Sequence, residues 1–304
     1  MEVTNAVRQK LKASILIEGL QGTGKSGLAL MIAKALGTPG VIDTENKSTD
    51  LFVGTQLSDG STCESFKKVD LGEEEVTPST ILEARKLLQG VGCDAIVQDS
   101  TSHSWLGLLN NVTKLTEANS KVNNFNAWGK PEISSEKDII TRKLFRDSSC
   151  HIISTVRLKE KFTMTPEGKV ESKGEQEVMQ DGAQYEPDLV LRMVKPGTPD
   201  GDPPMVEVRK SRYAFLRLGQ IYEITPAILA MLASYLDDGV DPAELDAQMA
   251  KDLIVSITDV MKTSSLKKMQ WQQWCKANKM EATTKLTDLS LAQLQSLYKA
   301  LTFN

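Results

Sequence analysis

Residues 19–26 read Gly19-Leu20-Gln21-Gly22-Thr23-Gly24-Lys25-Ser26, with Ile15-Leu16-Ile17-Glu18 before them and Gly27-Leu28-Ala29-Leu30-Met31-Ile32 after. An apolar strand, a glycine-rich turn and an apolar helix follow one another in the order that a phosphate-binding loop demands. The glycines let backbone N–H groups turn inward onto a polyphosphate, and the start of the helix adds partial positive charge. Lys25 can reach the β- and γ-phosphates of a nucleotide, and Ser26 can ligate magnesium. Gly19, Leu20, Gln21, Gly22, Thr23, Gly24, Lys25, Ser26 and Gly27 are therefore the expected cradle for ATP and Mg²⁺. A glycine-rich turn arising by chance does not account for the strand and helix on either side.

Working outward, short Ile- and Val-rich runs recur at 14–17, 41–43, 95–97, 151–155 and 189–193, separated by helical patterns. This alternation predicts an α/β fold with a mostly parallel central sheet flanked by helices. The first helix is expected to stop near Gly37, and Thr77-Pro78 reads as the cap and first residue of another that ends near Gly90. The runs Met205–Lys210 and Gln220–Ile224 read as antiparallel strands finishing the sheet. Thr225-Pro226, Asp241-Pro242 and the Ser290/Gln293 capping box mark helices from there onward. The Asp237-Asp238-Gly239 step divides a core of residues 1–238 from a small C-terminal helical appendage, residues 239–304.

The chain has 304 residues, 40% of them hydrophobic and 25% charged, with a formal charge of −4. That balance lacks the global basic excess of many nucleic-acid binders, so any DNA contact has to be local. Cys63, Cys93, Cys150 and Cys275 are scattered and form no CxxC, which favours a reducing cytoplasm over a disulfide scaffold or a zinc cluster. No apolar run approaches the ~20 residues of a membrane span, and the opening residues lack the apolar core of a signal peptide. His103 and His151 lie far apart and do not pattern as metal ligands. Trp271 and Trp274 fit the buried face of a helix better than a base-stacking platform.

Two carboxylates complete the expected site. Asp99 ends the apolar run 95–98 at the carboxyl edge of a buried strand, where it can hold the water shell of a magnesium ion bound by Ser26. Its bland alternative is to cap the helix that follows. Glu45, just past the strand 41–43, is the choice for positioning the attacking water, with Asp43 as a rival that could instead make a structural hydrogen bond.

These pieces, a phosphate loop, an Ile-Asp-Thr-Glu segment at 42–45 and an apolar strand ending in Asp99-Ser100, resemble the RecA family in kind and order. The resemblance covers roughly residues 10–225 and implies a RecA-like core that binds and hydrolyses ATP. It gives Glu45 the catalytic role and Asp99 the magnesium role. The strand His151–Arg157 resembles the family strand that ends in a γ-phosphate sensor followed by arginine, which implies Thr155 and Arg157, although the family usually has glutamine at the first. Residues 208–215 resemble a segment whose two basic residues cap ATP in a neighbouring subunit, which implies Lys210 and Arg212. A solvated basic edge strand is the alternative. The family binds single-stranded DNA through loops that map to 101–105 and 158–184. The second carries Lys159, Lys161, Phe162, Lys169 and Lys173, but also five glutamates, and residues 165–168 could equally turn a plain hairpin.

The compact form resembles bacteriophage ATPases of the recombination and strand-annealing type, which implies self-association into a filament or ring. The expected function is ATP-driven recombination or annealing on single-stranded DNA. A hexameric helicase or its accessory ATPase, and a nucleotide switch without DNA, remain open beside it.

Overall fold

The computed structural model describes residues 6–72, 76–118, 121–164, 168–198, 202–263, 265–281 and 284–302. By residue contacts the chain divides into two compact units: Leu11–Leu236, and a second that joins the residues preceding Leu11 to Asp237 and beyond.

The first unit is built on one sheet of β1 (Ser14–Gly19), β2 (Pro39–Asp43), β3 (Lys67–Asp70), β4 (Ala95–Asp99), β5 (His151–Met164), β6 (Val170–Glu177), β7 (Leu189–Lys195), β8 (Met205–Ser211) and β9 (Ile221–Glu223). The order is β3-β2-β4-β5-β1-β7-β8-β9, with β6 paired to β5 outside that path. The neighbours from β3 to β7 run parallel, while β8 and β9 add antiparallel, as the sequence predicts. Every residue of β1 and of β4 is buried, which is why these strands read as continuous apolar runs rather than alternating ones. β3 is not anticipated by the sequence, since Lys67-Lys68-Val69-Asp70 offers one apolar residue to an edge position.

Helices cover both faces. α1 (Lys25–Leu36) packs in one apolar cluster with Ile15, Ile17, Val41 and Val97. The opposite face carries α2 (Pro78–Gly90), α3 (Thr101–Ala118), α4 (Asn124–Ala127) and α5 (Pro131–Arg142), clustered around Leu16, Ile42, Ile96 and Ile152. The Thr77 hydroxyl accepts from the N–H of Thr80 and Pro78 opens α2, so the predicted cap forms as a capping box. Arg85, almost wholly buried, donates to the carbonyls of Lys143, Leu144 and Arg146 and so fixes the chain that leads into β5.

Two segments assigned to DNA-binding loops have regular structure instead. Residues 101–105 form the first turns of α3. The chain after Thr155 continues as strand to Met164 and returns as β6, so Lys159, Lys161 and Phe162 sit on β5 and Lys173 on β6. Ladder hydrogen bonds satisfy the backbone here, which is the hairpin alternative of the sequence reading. Lys169 precedes β6, and the turn at 165–167 lies outside the described residues.

The second unit holds α7 (Pro242–Thr263), α8 (Ser265–Ala277) and α9 (Leu291–Thr302), following α6 (Pro226–Asp237). Asp241 accepts from the N–H of Ala243, and Ser290 exchanges both capping-box bonds with Gln293. Ile257, Trp274, Leu294, Leu297 and Leu301 make its core, and Trp271 stacks on Trp274 at 6.0 Å, so this pair occupies the buried face expected of it.

Gly107 marks where α3 passes closest to the chain before α2: a Cβ there would stand 1.9 Å from the carbonyl oxygen of Val76. Gly107→Ala is expected to destabilise the core by about 1–3 kcal/mol through overpacking, read as a lowered midpoint in urea. An unchanged midpoint would mean that α3 slides without cost.

Candidate active site

The phosphate loop bridges β1 and α1. Gly22 and Gly24 hold φ of +74° and +85°, the left-handed region that side chains resist. A Cβ on Gly19 would meet the Thr23 hydroxyl at 2.4 Å, so glycine is needed there for closeness instead. Gly24 caps α1 and no side chain caps the helix for it, which leaves the first-turn N–H groups facing the loop's concavity. The Lys25 ammonium donates to the carbonyl of Leu20 at 2.8 Å across the loop. Burial lowers its pKa, and the negative charges of Asp99 and Glu45 oppose that shift.

β2 and β4 pair in register with Asp43 opposite Asp99, so both carboxylates arrive at the same sheet edge as the loop. Asp99 is buried, with Oδ1 accepting from Thr155 Oγ1 at 2.5 Å. Its Oδ2 is also buried and has no hydrogen-bond partner among the described residues. Burial raises the Asp99 pKa; the nearby Ser26 hydroxyl offsets part of this without reaching hydrogen-bond geometry at Oδ2. A carboxylate oxygen left unpaired in the interior is costly unless a cation or its water shell comes to it. The Ser26/Asp99 pair therefore fits a magnesium ion, and no group of three or more His, Cys, Asp or Glu among the described residues offers an alternative metal centre.

Asp43 takes the structural job. Its Oδ1 accepts from the N–H of Glu45 at 2.8 Å, and its Oδ2 accepts from the N–H and hydroxyl of Thr49. Both oxygens are spent on folding the turn, in which Asn46 and Lys47 have φ of +55° and +64°. Glu45 is thereby projected over the sheet edge. Arg157 reaches across from β5 and donates twice to Glu45 Oε1, at 3.0 and 2.8 Å, and no hydrogen bond among the described residues reaches Oε2. Beneath them Thr44 Oγ1 lies 2.7 Å from His103 Nδ1 and accepts from the N–H of Ser100, tying the Glu45 turn to the start of α3.

Thr155 is fully buried and its hydroxyl donates to Asp99 Oδ1. The reason lies in pairing, since Thr155 stands level with Ile17, two residues short of the strand end at Gly19.

Lys210 and Arg212 are not brought to the phosphate loop of their own chain. The parallel pairing of β1 with β7 sets Leu16 beside Val190, and the antiparallel pairing of β7 with β8 sets Val190 beside Lys210, so the lysine lies two strands over and three residues back from Gly19. That is ~10 Å along the sheet and ~10 Å across it. The Lys210 ammonium donates to the carbonyls of Tyr185 and Pro187, and Arg212, just past the end of β8, pairs with Asp188 at 3.0 Å.

One part of the site escapes the sequence reading. A pocket of about 400 Å³ is lined by Gly24, Gly27 and Leu28 at the start of α1, by Leu51, Phe52 and Leu57, and by Thr198 and Pro204. Phe52 lies over Gly27 so closely that a Cβ there would stand 3.3 Å from its ring. An aromatic seven residues after Glu45, in the short 3-10 turn Ser48–Phe52, was the available signal.

A phosphate loop on a mostly parallel sheet, with an acidic residue on a neighbouring strand edge, defines an α/β fold of the P-loop nucleotide-binding class. The model of the family described as AAA domain matches residues 11–210, and the chain belongs to that family. The crystal structure of the RadB recombinase is similar at a TM-score of 0.38 and 14% identity, over 69% of this chain and 86% of that one. No curated protein matches. No helix among the described residues is long and apolar enough to cross a membrane.

Glu18, immediately before the loop, is buried against Arg192 at 3.1 Å, and burial with the nearby Glu177 pushes its pKa from 4.5 up to about 7. Between those values the folded chain keeps a proton that the unfolded chain has lost, so Glu18 erodes stability as pH rises through this window, by up to about 3 kcal/mol. Glu18→Gln is expected to flatten the decline of the urea midpoint between pH 5 and pH 8. A variant whose midpoint falls as steeply as the parent's would place the titration elsewhere.

Proposed function

We propose that the chain is a Mg²⁺-dependent ATPase that couples hydrolysis to single-stranded DNA, in recombination or strand annealing, and assembles so that neighbours complete one another's sites. The observation that carries the reading is the course of β5. One uninterrupted strand supplies Thr155 to Asp99, supplies Arg157 to Glu45 and continues outward into a hairpin bearing Lys159, Lys161 and Phe162. The Phe162 side chain is 58% exposed, which suits stacking on a base far better than packing in a core.

In this reading Lys25 and the first-turn N–H groups of α1 bind the β- and γ-phosphates, and the base lies against Phe52 in the pocket beside α1. Ser26 and Asp99 hold the magnesium, which supplies charge neutralisation on the transferring phosphoryl group. Arg157 holds Glu45 through Oε1, which leaves Oε2 to accept a hydrogen bond from the water that attacks the γ-phosphorus. The phosphorus–oxygen bond to the β-phosphate breaks as the new bond forms, and Glu45 draws off the proton. Lys210 and Arg212 are too far from their own loop to take part, so their proposed action is on ATP held by a neighbour.

Glu45→Gln is expected to bind nucleotide as the parent does and to release phosphate about a hundredfold more slowly, since shape is retained and the base is lost. Calorimetry with a non-hydrolysable analogue and a phosphate-release assay separate the two effects; undiminished turnover would remove Glu45 from the mechanism. For the shared site, Lys25→Ala subunits are mixed with subunits carrying both Lys210→Ala and Arg212→Ala, each inactive alone. The mixture is expected to regain ATPase activity, because intact basic residues of the first meet an intact loop of the second. A mixed assembly, verified by differential labelling, that stays inactive would reduce the pair to a structural edge.

A further inference from the structure

Glu45 and Arg157 come from different strands, and the first turn of α3 takes hold of the chain beside each. On one side Ser102 Oγ accepts from the N–H of Arg157 at 2.9 Å, and Thr101 Oγ1 donates to the carbonyl of Thr155 at 2.8 Å. On the other, His103 Nδ1 lies 2.7 Å from Oγ1 of Thr44, the residue that joins Asp43 to Glu45. We propose that His103 is a positioning residue for hydrolysis, which holds the Thr44 hydroxyl and thereby aims the Glu45 carboxylate at the attacking water.

The surroundings of Thr44 Oγ1 give the imidazole this part. The oxygen is buried, accepts from the N–H of Ser100 at 2.8 Å and has one proton of its own to give. The carbonyl oxygens of Asp99 and Ser100 lie 3.1 and 3.3 Å away, both farther than the ring nitrogen. The ring therefore decides how the hydroxyl is oriented, and it adds a tie from Thr44 to α3 that the β4 edge does not supply.

The turn that carries Glu45 depends on such ties. Asn46 and Lys47, the next two residues, hold φ of +55° and +64°, a left-handed conformation that side chains resist. Asp43 ties the turn from within, through the N–H of Glu45 and through Thr49, while Thr44 ties it to α3. A catalytic group displaced by about 1 Å can cost about a hundredfold in rate. Nucleotide binding draws instead on the phosphate loop of β1 and α1, so the two effects separate in measurement.

The inference rests on the ATPase reading with Glu45 as the base, and the variants separate the two. Phosphate release and titration with a fluorescent non-hydrolysable ATP analogue are measured on the full-length protein. His103→Ala is expected to lower kcat about tenfold or more while the analogue binds as it does to the parent. His103→Asn, whose amide falls near the place of Nδ1, is expected to recover most of the rate, and His103→Gln, whose amide reaches toward Nε2, to recover little. A ring that only packs gives no such order. Thr44→Ser keeps the hydroxyl and is expected to turn over near the parental rate; Thr44→Val is expected to be slow, and adding His103→Ala to it to cost nothing more. If the parent hydrolyses no ATP, or Glu45→Gln hydrolyses it undiminished, the ATPase reading falls and this inference with it. If Glu45→Gln is slow while His103→Ala keeps the parental rate, or costs as much beside Thr44→Val as alone, the role of His103 alone is overturned. Should His103→Ala fail to fold, equal rates for the Asn and Gln variants overturn it as well.

Discussion

The site is organised around a negative charge held where charge is expensive. Asp99 lies inside the sheet, one oxygen bonded to Thr155 and the other to nothing, and burial raises its pKa. An isolated carboxylate in that position would take up a proton or draw in a cation. The surrounding positive groups are placed accordingly. Burial lowers the Lys25 pKa on balance while Asp99 opposes part of that shift, and Ser26 stands where a shared magnesium would need it. The phosphate loop and the β4 edge are thus two halves of one electrostatic arrangement.

The same constraint explains how the neighbouring strand is used. β5 pairs with both β1 and β4, and so lies between the strand that leads into the loop and the strand that ends in the acid. Thr155 and Arg157, two residues apart and on one face, serve Asp99 and Glu45 respectively. The strand is locked to α3 by Thr101 donating to the carbonyl of Thr155 and by the N–H of Arg157 donating to Ser102. Displacement of Glu45 by a bound phosphate would therefore be felt in α3 and in the hairpin together, because these bonds leave little room for one to move alone.

What the sequence discloses follows from which interactions are local. The loop, its flanking strand and helix, the Thr77 and Ser290 caps and the parallel order of the core are written in contiguous patterns, and they appear in the structure where the patterns put them. Asp43 and Glu45 could not be separated by pattern, because the distinction rests on which oxygens Thr49 and the Glu45 N–H consume. The bond from Thr155 to Asp99 is hidden for a related reason, since it follows from how β5 pairs with its neighbouring strands. The hairpin of β5 and β6 stands in the sequence only as the alternative to a loop, because mixed Lys and Glu read as either until the ladder is seen. Phe52 and the pairing of Trp105 with Trp128 join residues far apart in sequence or outside regular elements, and no periodicity announces them.

The two basic residues at the end of β8 differ in how readily they could serve a neighbour. Lys210 is held by two carbonyl oxygens, and burial and the adjacent Arg212 charge lower its pKa. Leaving that nest would forgo two charged hydrogen bonds, each worth about 1.5–3 kcal/mol when unreplaced. Arg212 is more than half exposed and held by a single surface ion pair to Asp188, a contact whose typical worth is about 0–1 kcal/mol. Its fork of donors also suits a terminal phosphate better than a single ammonium does. On the proposed shared site, Arg212 is therefore the residue free to cross the boundary. Lys210, by donating to the carbonyls of both Tyr185 and Pro187, ties down the turn ahead of β7.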